Sequence, residues 1–370
     1  MEKTNHERII IAGGGTGGHI YPAVAIAREI LKINPKVEIH FVGTPAGLEN
    51  KIIPREGFNL HHIHVGKLNY SGGFFAKIKT IVKLPWNLVE CASLLWELKP
   101  NFVLGVGGYA SGPFVLMAAI LGFKTALWEP NAYPGMTNRL LSRFVKRSFI
   151  VFPEAKSFLK SQLVERLGLP VREQVEKVAM MGKVPKVPFK VLAFGGSQGA
   201  RAINEALAEM LAKNDPELKD FEFVHQTGTA DFEKVKSKVT NSKVQILEYL
   251  FDIETHYQWC DLVVCRAGAS TVAEVAACGK PAIFIPLPSA ADDHQSKNAK
   301  SLVDQGAAVL LEQKNLTAAH LKAELLRLKN SPDLCIQMSQ NLKKFYQPQA
   351  AKSVAQKILN EGSYEVQQQI

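Results

Sequence analysis

The sequence predicts an α/β protein with two doubly wound parallel sheets, and three observations carry that prediction. Short apolar runs that read as strands alternate with helical patterns along most of the chain. The alternation occurs twice, in two series of similar plan. Three glycine-rich clusters each follow a strand, where a parallel sheet places its ligand-facing turns.

The first series has strands over residues 8–12, 37–42, 60–65, 101–106, 125–128 and 148–151, with a helix over 22–31. The second has strands over 191–194, 222–225, 244–247, 262–265 and 282–285. Between them, residues 168–187 carry Pro170 and Pro185 with little periodicity, which places the junction there. Residues 350–359 form an amphipathic helical pattern before a glutamine-rich tail. The expected architecture is two Rossmann-like domains facing each other across a cleft, residues 1–168 and 169–347, with a C-terminal helix in 348–370 joining the first.

The second half is organised around residues 262–298. A buried strand leads into a glycine-bearing turn, and an alanine-rich helix is expected from Val272. Thr271-Val272-Ala273-Glu274 has the form of a capping box, with Glu274 reaching back to the cap. Gly279 ends the helix and Pro281 opens the next strand. Such a turn at the carboxyl edge of a parallel sheet favours an anionic ligand. Arg266 reads either as a ligand contact or as a solvated charge. Ser270, Asp292, Asp293, His294, Gln295 and Asn298 add polar groups to the same unit.

The three glycine clusters sharpen the ligand class. Gly13 to His19, GGGTGGH, formally contains the G-x-G-x-x-G spacing of dinucleotide-binding turns. The second strand, however, ends Phe41-Val42-Gly43-Thr44, with no carboxylate to hold a ribose, which argues against a nicotinamide cofactor. GVGGYASGP (105–113) and GGSQGA (195–200) follow later strands, and Ser197 with its neighbouring backbone suits phosphate oxygens. Together the turns point to a pyrophosphate ligand.

Composition narrows the setting. The chain has 370 residues and five cysteines, with no C-x-x-C pair, which favours reduced thiols in a cytoplasmic protein. No apolar run reaches the roughly 20 residues of a membrane span, and the first residues lack a signal-peptide core. The formal charge of +10 lies mostly in residues 1–171, which hold 20 Lys and Arg against 11 Glu and no Asp. Such a face suits nucleic acid or an anionic membrane, and no nucleic-acid motif appears. Within Ser71 to Trp86, Phe74, Phe75, Lys79, Lys83 and Trp86 have the mixture of an interfacial segment, or of an amphipathic helix packed on the sheet.

GGGTGGHIYPAVA, GVGGYASGP, GLPVRE, GGSQGA and RAGASTVAE followed by IPLPSAADDHQSKNA, in that order, make the chain resemble the MurG family. The resemblance implies a GT-B fold and an inverting transferase. Such an enzyme moves N-acetylglucosamine from UDP-N-acetylglucosamine to the 4-hydroxyl of the muramoyl sugar of undecaprenyl-pyrophosphoryl-N-acetylmuramoyl-pentapeptide (lipid I), forming lipid II. Carried over by motif, the sugar-donor contacts are Thr16, Gly17, Gly18, Asn131, Arg172, Ser197, Leu250, Gly268, Ala269, Ser270, Thr271, Val272, Ala273, Glu274 and Gln295. His19 is the implied base, and Tyr109 an acceptor contact. Glu274 would hold the ribose hydroxyls, in conflict with a purely capping role. No cofactor and no metal are implied, and no Asp-x-Asp pair occurs. The place implied is the cytoplasmic face of the inner membrane, held peripherally. Trp128-Glu129-Pro130-Asn131 and Gly168-Leu169-Pro170-Val171-Arg172 depart from the family's His-Glu-Gln-Asn and Gly-Asn-Pro-Val-Arg.

Overall fold

The computed structural model describes residues 7–65, 74–177, 187–213 and 215–362, with the side chains of 74–85 outside that description. The chain divides into two compact units, Met1–Pro170 with Gln349–Ile370, and Val171–Pro348.

The first unit runs β1 (Arg8–Gly13), α1 (Gly17–Ile33), β2 (Glu38–Gly43), α2 (Glu49–Arg55), β3 (Asn59–His62), α3 (Phe74–Leu98), β4 (Phe102–Gly107), α4 (Ser111–Ile120), β5 (Thr125–Glu129), α5 (Met136–Leu141), β6 (Arg147–Ile150) and β7 (Leu163–Arg166). Its seven parallel strands stand in the order β3-β2-β1-β4-β5-β6-β7. Central strands covered on both faces must be apolar on both, so Ile9, Ile10, Ile11 and Ala12 are all fully buried. On one face, Val103, Leu104's neighbour on β4, joins Phe114, Val115 and Ala118 of α4 and Cys91 and Leu95 of α3 in one core.

The second unit runs α6 (Glu173–Glu176), β8 (Phe189–Phe194), α7 (Arg201–Leu211), β9 (Phe221–Gln226), α8 (Phe232–Lys238), β10 (Val244–Leu247), α9 (Ile253–Trp259), β11 (Leu262–Cys265), α10 (Ala269–Cys278), β12 (Ala282–Phe284), α11 (His294–Val303), β13 (Val309–Leu310), α12 (Ala318–Lys329) and α13 (Pro332–Lys343). Its six strands are parallel in the order β10-β9-β8-β11-β12-β13. The last helix, α14 (Ala350–Gly362), returns to the first unit and packs beside α1 and β4.

Both sheets are doubly wound: the strand order reverses beside the first strand of each unit, between β1 and β4 and between β8 and β11. Loops leaving the carboxyl ends of those strands diverge, and a ligand crevice opens there. All three glycine clusters follow one of these four strands.

Several boundaries differ from the sequence reading. α1 starts at Gly17, not Pro22, because the Thr16 carbonyl accepts from the His19 and Ile20 N–H groups at 3.1 and 3.2 Å. Tertiary fixing outweighs the low helix propensity of two glycines. β7 and β13 went unread; β7 is an edge strand with partly exposed Leu-Val-Glu-Arg, and β13 has only two residues. All five cysteines are buried and free. Among the described residues no helix is long and apolar enough to cross a membrane.

α14 is fastened by both packing and charge. Val354, Ala355, Ile358 and Leu359 are buried, Lys357 Nζ donates to Glu165 at 2.6 Å, and Lys124 Nζ donates to the Glu361 carbonyl at 2.8 Å. Arg147 bonds both Glu165 and Glu361. Truncating fully buried Ile358 to alanine is expected to destabilise the first unit by about 2–5 kcal/mol. Lys352→Ala on the exposed side should stay within about 0.5 kcal/mol. Urea titration of the two variants beside wild type checks both figures.

Candidate active site

In the second unit, β8 ends in the Gly195–Ala200 loop and β11 in Arg266-Ala267-Gly268, on adjacent strands. The first loop needs glycine at its floor. A Cβ on Gly199, at φ +74°, would lie 1.8 Å from the Thr227 carbonyl, and one on Gly228 would lie 2.2 Å from that of Gln198. Behind this contact, buried Asn204 donates to the Thr227 carbonyl at 2.8 Å and to Asp231 at 2.9 Å. His225 completes the network at 3.0 Å from Asn204 Oδ1, with burial pushing its pKa down to about 4.

A cavity of about 450 Å³ opens over these loops. Ala200, Arg201 and Ala202 bring the N-terminus of α7 to its wall, and Gly268 and Thr271 bring that of α10. Neither terminus has a side-chain cap, so both helix dipoles and their first-turn N–H groups remain available to an anion. Arg266 stands in the same wall. Its Nη1 donates to the Ile285 and Pro286 carbonyls, each at 2.9 Å, and its Nη2 to Gln313 Oε1 at 2.7 Å. Every one of those acceptors is neutral. Burial lowers the Arg266 pKa, and among the described residues no carboxylate pairs with it. The cavity therefore combines a half-buried cation and two uncapped helix starts, an arrangement that selects a multiply charged anion.

The loop after β12 closes the wall. Gln295, which lines the cavity, accepts the Leu287 N–H at 3.0 Å, and fully buried Asn298 donates to the Ala267 carbonyl at 3.2 Å. Asp292 and Asp293 both adopt left-handed backbone, at φ 51° and 54°.

The expected capping box is not formed. α10 begins at Ala269 with Gly268 as N-cap, so Thr271 lies inside the first turn and Glu274 is too far along to reach back. Glu274 Oε1 instead accepts from Arg172 Nε and Nη2 at 2.9 and 2.8 Å, and its Oε2 from the Tyr257 hydroxyl at 3.3 Å. Burial raises the Glu274 pKa, and the Arg172 guanidinium opposes that rise. Of the other residues carried over, Gly268, Thr271 and Gln295 line the cavity. Ala269 and Ser270 open α10, while Val272 and Ala273 are buried and offer only backbone. Ser197 is exposed at the loop tip, and Leu250 is buried between exposed Tyr249 and Phe251. Gln313, some 47 positions from Arg266, carried no sequence signal.

In the first unit, Gly13 and Gly14 touch Gly107 and Gly108. Gly14 N donates to the Gly107 carbonyl at 3.2 Å, and a Cβ on Gly13 would lie 2.3 Å from that oxygen. Thr16, Gly17 and Gly18 form the partly exposed start of α1. The His19 ring covers Gly107, whose Cβ would meet it at 2.9 Å, and Tyr109 is exposed just beyond. Asn131 does not stand alone: its N and Nδ2 donate to Glu129 Oε1 at 2.9 and 3.3 Å. Glu129 Oε2 takes Gly135 N and Asn138 Nδ2 at 3.1 and 2.8 Å. Burial pushes the Glu129 pKa up to about 7 against these four donors. Phe74, Phe75, Lys79 and Lys83 have the helical backbone of α3, and their side chains lie outside the described residues. Trp86 is 77% exposed, as are Val89 at 61% and Trp96 at 62%, two residues the sequence reading did not single out. Among the described residues no three His, Cys, Asp or Glu side chains group as a metal would need.

Residues 9–150 match the glycosyltransferase family 28 N-terminal domain and residues 190–356 the family 28 C-terminal domain. The UDP-N-acetylglucosamine--N-acetylmuramyl-(pentapeptide) pyrophosphoryl-undecaprenol N-acetylglucosamine transferase of Bdellovibrio bacteriovorus is 51% identical over 96% of this chain and 99% of its own. A protein of the same name from Myxococcus xanthus is 41% identical over 94% and 91%. The crystal structure of Acinetobacter baumannii MurG superimposes with a TM-score of 0.79 at 31% identity, covering 96% of this chain and 99% of that one.

Glu129 supplies a pH test. A carboxyl with its folded pKa raised binds its proton more tightly folded than unfolded, so its contribution is fully present below about 4.5 and is lost as pH rises through about 7. Glu129→Gln lacks that slope. The stability difference, wild type minus variant, should fall by on the order of 3 kcal/mol across that window. Urea titrations at four pH values measure it, and a constant difference would mean a carboxyl ionised throughout.

Proposed function

Since the chain belongs to glycosyltransferase family 28 and, within it, to the MurG family, we infer that it catalyses the transfer for which those relatives are named. It is a UDP-N-acetylglucosamine-dependent transferase of the GT-B class, delivering N-acetylglucosamine to N-acetylmuramyl-(pentapeptide) pyrophosphoryl-undecaprenol and so making lipid II. The observation that carries this reading is the second-unit cavity, where Arg266 and two uncapped helix N-termini converge.

The second unit holds the sugar nucleotide. Its diphosphate lies against the N-termini of α7 and α10, with Arg266 as counter-ion and the N–H groups of the Ser197 loop and of Ala269 to Thr271 as donors. As the glycosidic bond breaks, charge develops on the departing phosphate. Fixed dipoles already aimed there stabilise it without reorganisation. Glu274, oriented by Arg172 and Tyr257, retains lone pairs on Oε2 for a ribose hydroxyl. Gln295 and the Leu250 backbone complete the nucleotide contacts.

In the first unit His19 is the base: it takes the proton of the muramoyl 4-hydroxyl as that oxygen attacks the anomeric carbon, with inversion. Tyr109, Thr16 to Gly18 and Asn131 are the ligand contacts of this unit. The expected result is UDP release that requires the polyprenyl-pyrophosphoryl muramoyl-pentapeptide. Arg266→Lys should weaken UDP binding by calorimetry about tenfold to a hundredfold, from loss of a charge-assisted bond of about 1.5–3 kcal/mol. Release without acceptor, or unaltered UDP affinity in a folded variant, would count against this assignment.

The lipid-linked acceptor places the enzyme peripherally at the cytoplasmic face of the inner membrane, and α3 is the contact. Trp86, Val89 and Trp96 are exposed at positions three, seven and ten apart on one helical face, continuing the Phe74–Lys83 stretch. Lys77, Lys79 and Lys83 contribute about 1 kcal/mol each at an anionic surface. Cosedimentation with anionic vesicles should drop at least about tenfold for the triple variant Phe75→Ser, Lys79→Glu, Lys83→Glu and diminish with salt. Equal binding by a variant with native circular dichroism would remove α3 from the membrane contact.

A further inference from the structure

Among the described residues of the first unit Glu49 is the least exposed carboxylate, and the mechanism above does not use it. It opens α2, 34 positions from the β1–α1 loop, yet its Oε2 accepts Gly15 N at 2.7 Å. Its Oε1 accepts Thr44 N at 3.0 Å and Thr44 Oγ1 at 3.1 Å. Three glycines leave room for it. A Cβ on Gly14, Gly43 or Gly47 would come within 2.5, 2.6 or 1.9 Å of its side chain. Burial alone would raise the carboxyl's pKa, but the N–H donors of Gly15 and Thr44 outweigh it and hold the group below its ordinary value. Glu49 is thus a buried anion whose compensation comes from the two loops it joins.

The bond to Gly15 has a directional consequence. Gly15, at φ +87°, turns its N–H inward to Glu49, and the N–H groups of Thr16, Gly17 and Gly18 then lead α1 from its exposed end. His19 follows one residue later, over Gly107. Without the carboxylate, the loop's glycines could adopt many conformations at little steric cost.

We propose that Glu49 is a positioning residue for the transfer reaction, its carboxylate clamping the β1–α1 glycine loop so that the Thr16–Gly18 amides and the His19 imidazole are presented in one conformation. The proposal rests on the reading that His19 and this loop act on the acceptor. Glu49 is 1% exposed and would act through the loop it holds. Its influence should fall on turnover, because a misplaced base costs rate in the transition state while the second unit still binds the sugar nucleotide.

The test compares Glu49→Gln, Glu49→Asp and His19→Ala with wild type. Steady-state rates with lipid-linked acceptor give kcat and KM, calorimetry gives UDP affinity and stoichiometry, and urea titration gives stability. Glu49→Gln keeps the shape but turns an NH2 group toward N–H donors. It is expected to lower kcat at least about tenfold with UDP affinity within about twofold and full binding stoichiometry. Glu49→Asp, which keeps the charge, should recover part of that loss. Near-normal kcat in Glu49→Gln while His19→Ala is impaired would overturn the clamp and leave the function of His19 standing. Near-normal kcat in both would overturn the role of the loop itself. A loss of kcat in Glu49→Gln matched by an equal loss of UDP stoichiometry, with no recovery in Glu49→Asp, would reduce Glu49 to a folding residue and overturn the proposal as well.

Discussion

The close approach of bare backbone at the reversal of each sheet is the constraint on which the rest of the structure depends. In a doubly wound sheet the loops from two neighbouring strands leave toward opposite faces, and the carboxyl edge between them has room for a ligand only if neither loop fills it with side chains. Gly13 and Gly14 against Gly107 and Gly108, and Gly199 against Thr227 and Gly228, meet that condition in separate units by the same means. A methyl group at any of several of these positions would sit inside van der Waals contact of a carbonyl oxygen. Turns packed this tightly leave helix starts in fixed places, which is what lets α1, α7 and α10 present amides without a side-chain cap.

Charge then distinguishes Arg172 from Arg266 in the second unit. Arg172 has a carboxylate partner, its Nε and Nη2 both meeting Glu274 Oε1. Arg266 has three neutral oxygens. These carbonyl and amide dipoles hold the guanidinium in place without neutralising it, so its field reaches into the cavity. A half-buried cation without a counter-ion is unfavourable in the empty protein and favourable only with an anion bound, and that difference is what makes binding selective.

How much of this was legible in the sequence follows from which forces leave local traces. Strands β1, β4 and β11 were read to within one residue, because a strand covered on both faces leaves a nearly continuous apolar run, while β8 begins two residues early, at Phe189 before the polar Lys190. β7 and β13 left no such trace, since edge strands tolerate polar side chains. The start of α1 was hidden by its own glycines. Thr271 and Glu274 satisfied the local spacing of a capping box, yet an earlier helix start and a long-range arginine decided the matter. Arg266 was visible as a residue but not as an uncompensated charge, because its partners Ile285, Pro286 and Gln313 come from distant elements. Trp96 and Val89 lie on α3 beyond the stretch whose composition drew notice.

Glu49 and Glu129, the two buried glutamates among the described residues of the first unit, show why residue type alone does not fix a role. Glu129 and Glu49 both end or follow a strand of the same sheet, and both accept only from N–H or O–H groups. Both are almost fully buried, but at Glu129, where two of the four donors are side-chain amides, desolvation prevails and raises the pKa to about 7. Glu49 receives backbone N–H groups from Gly15 and Thr44, and these bonds prevail over its burial. Burial raises the first carboxyl, and N–H donors hold the second below its ordinary value. Neither shift could be assigned before the donors around each oxygen were known.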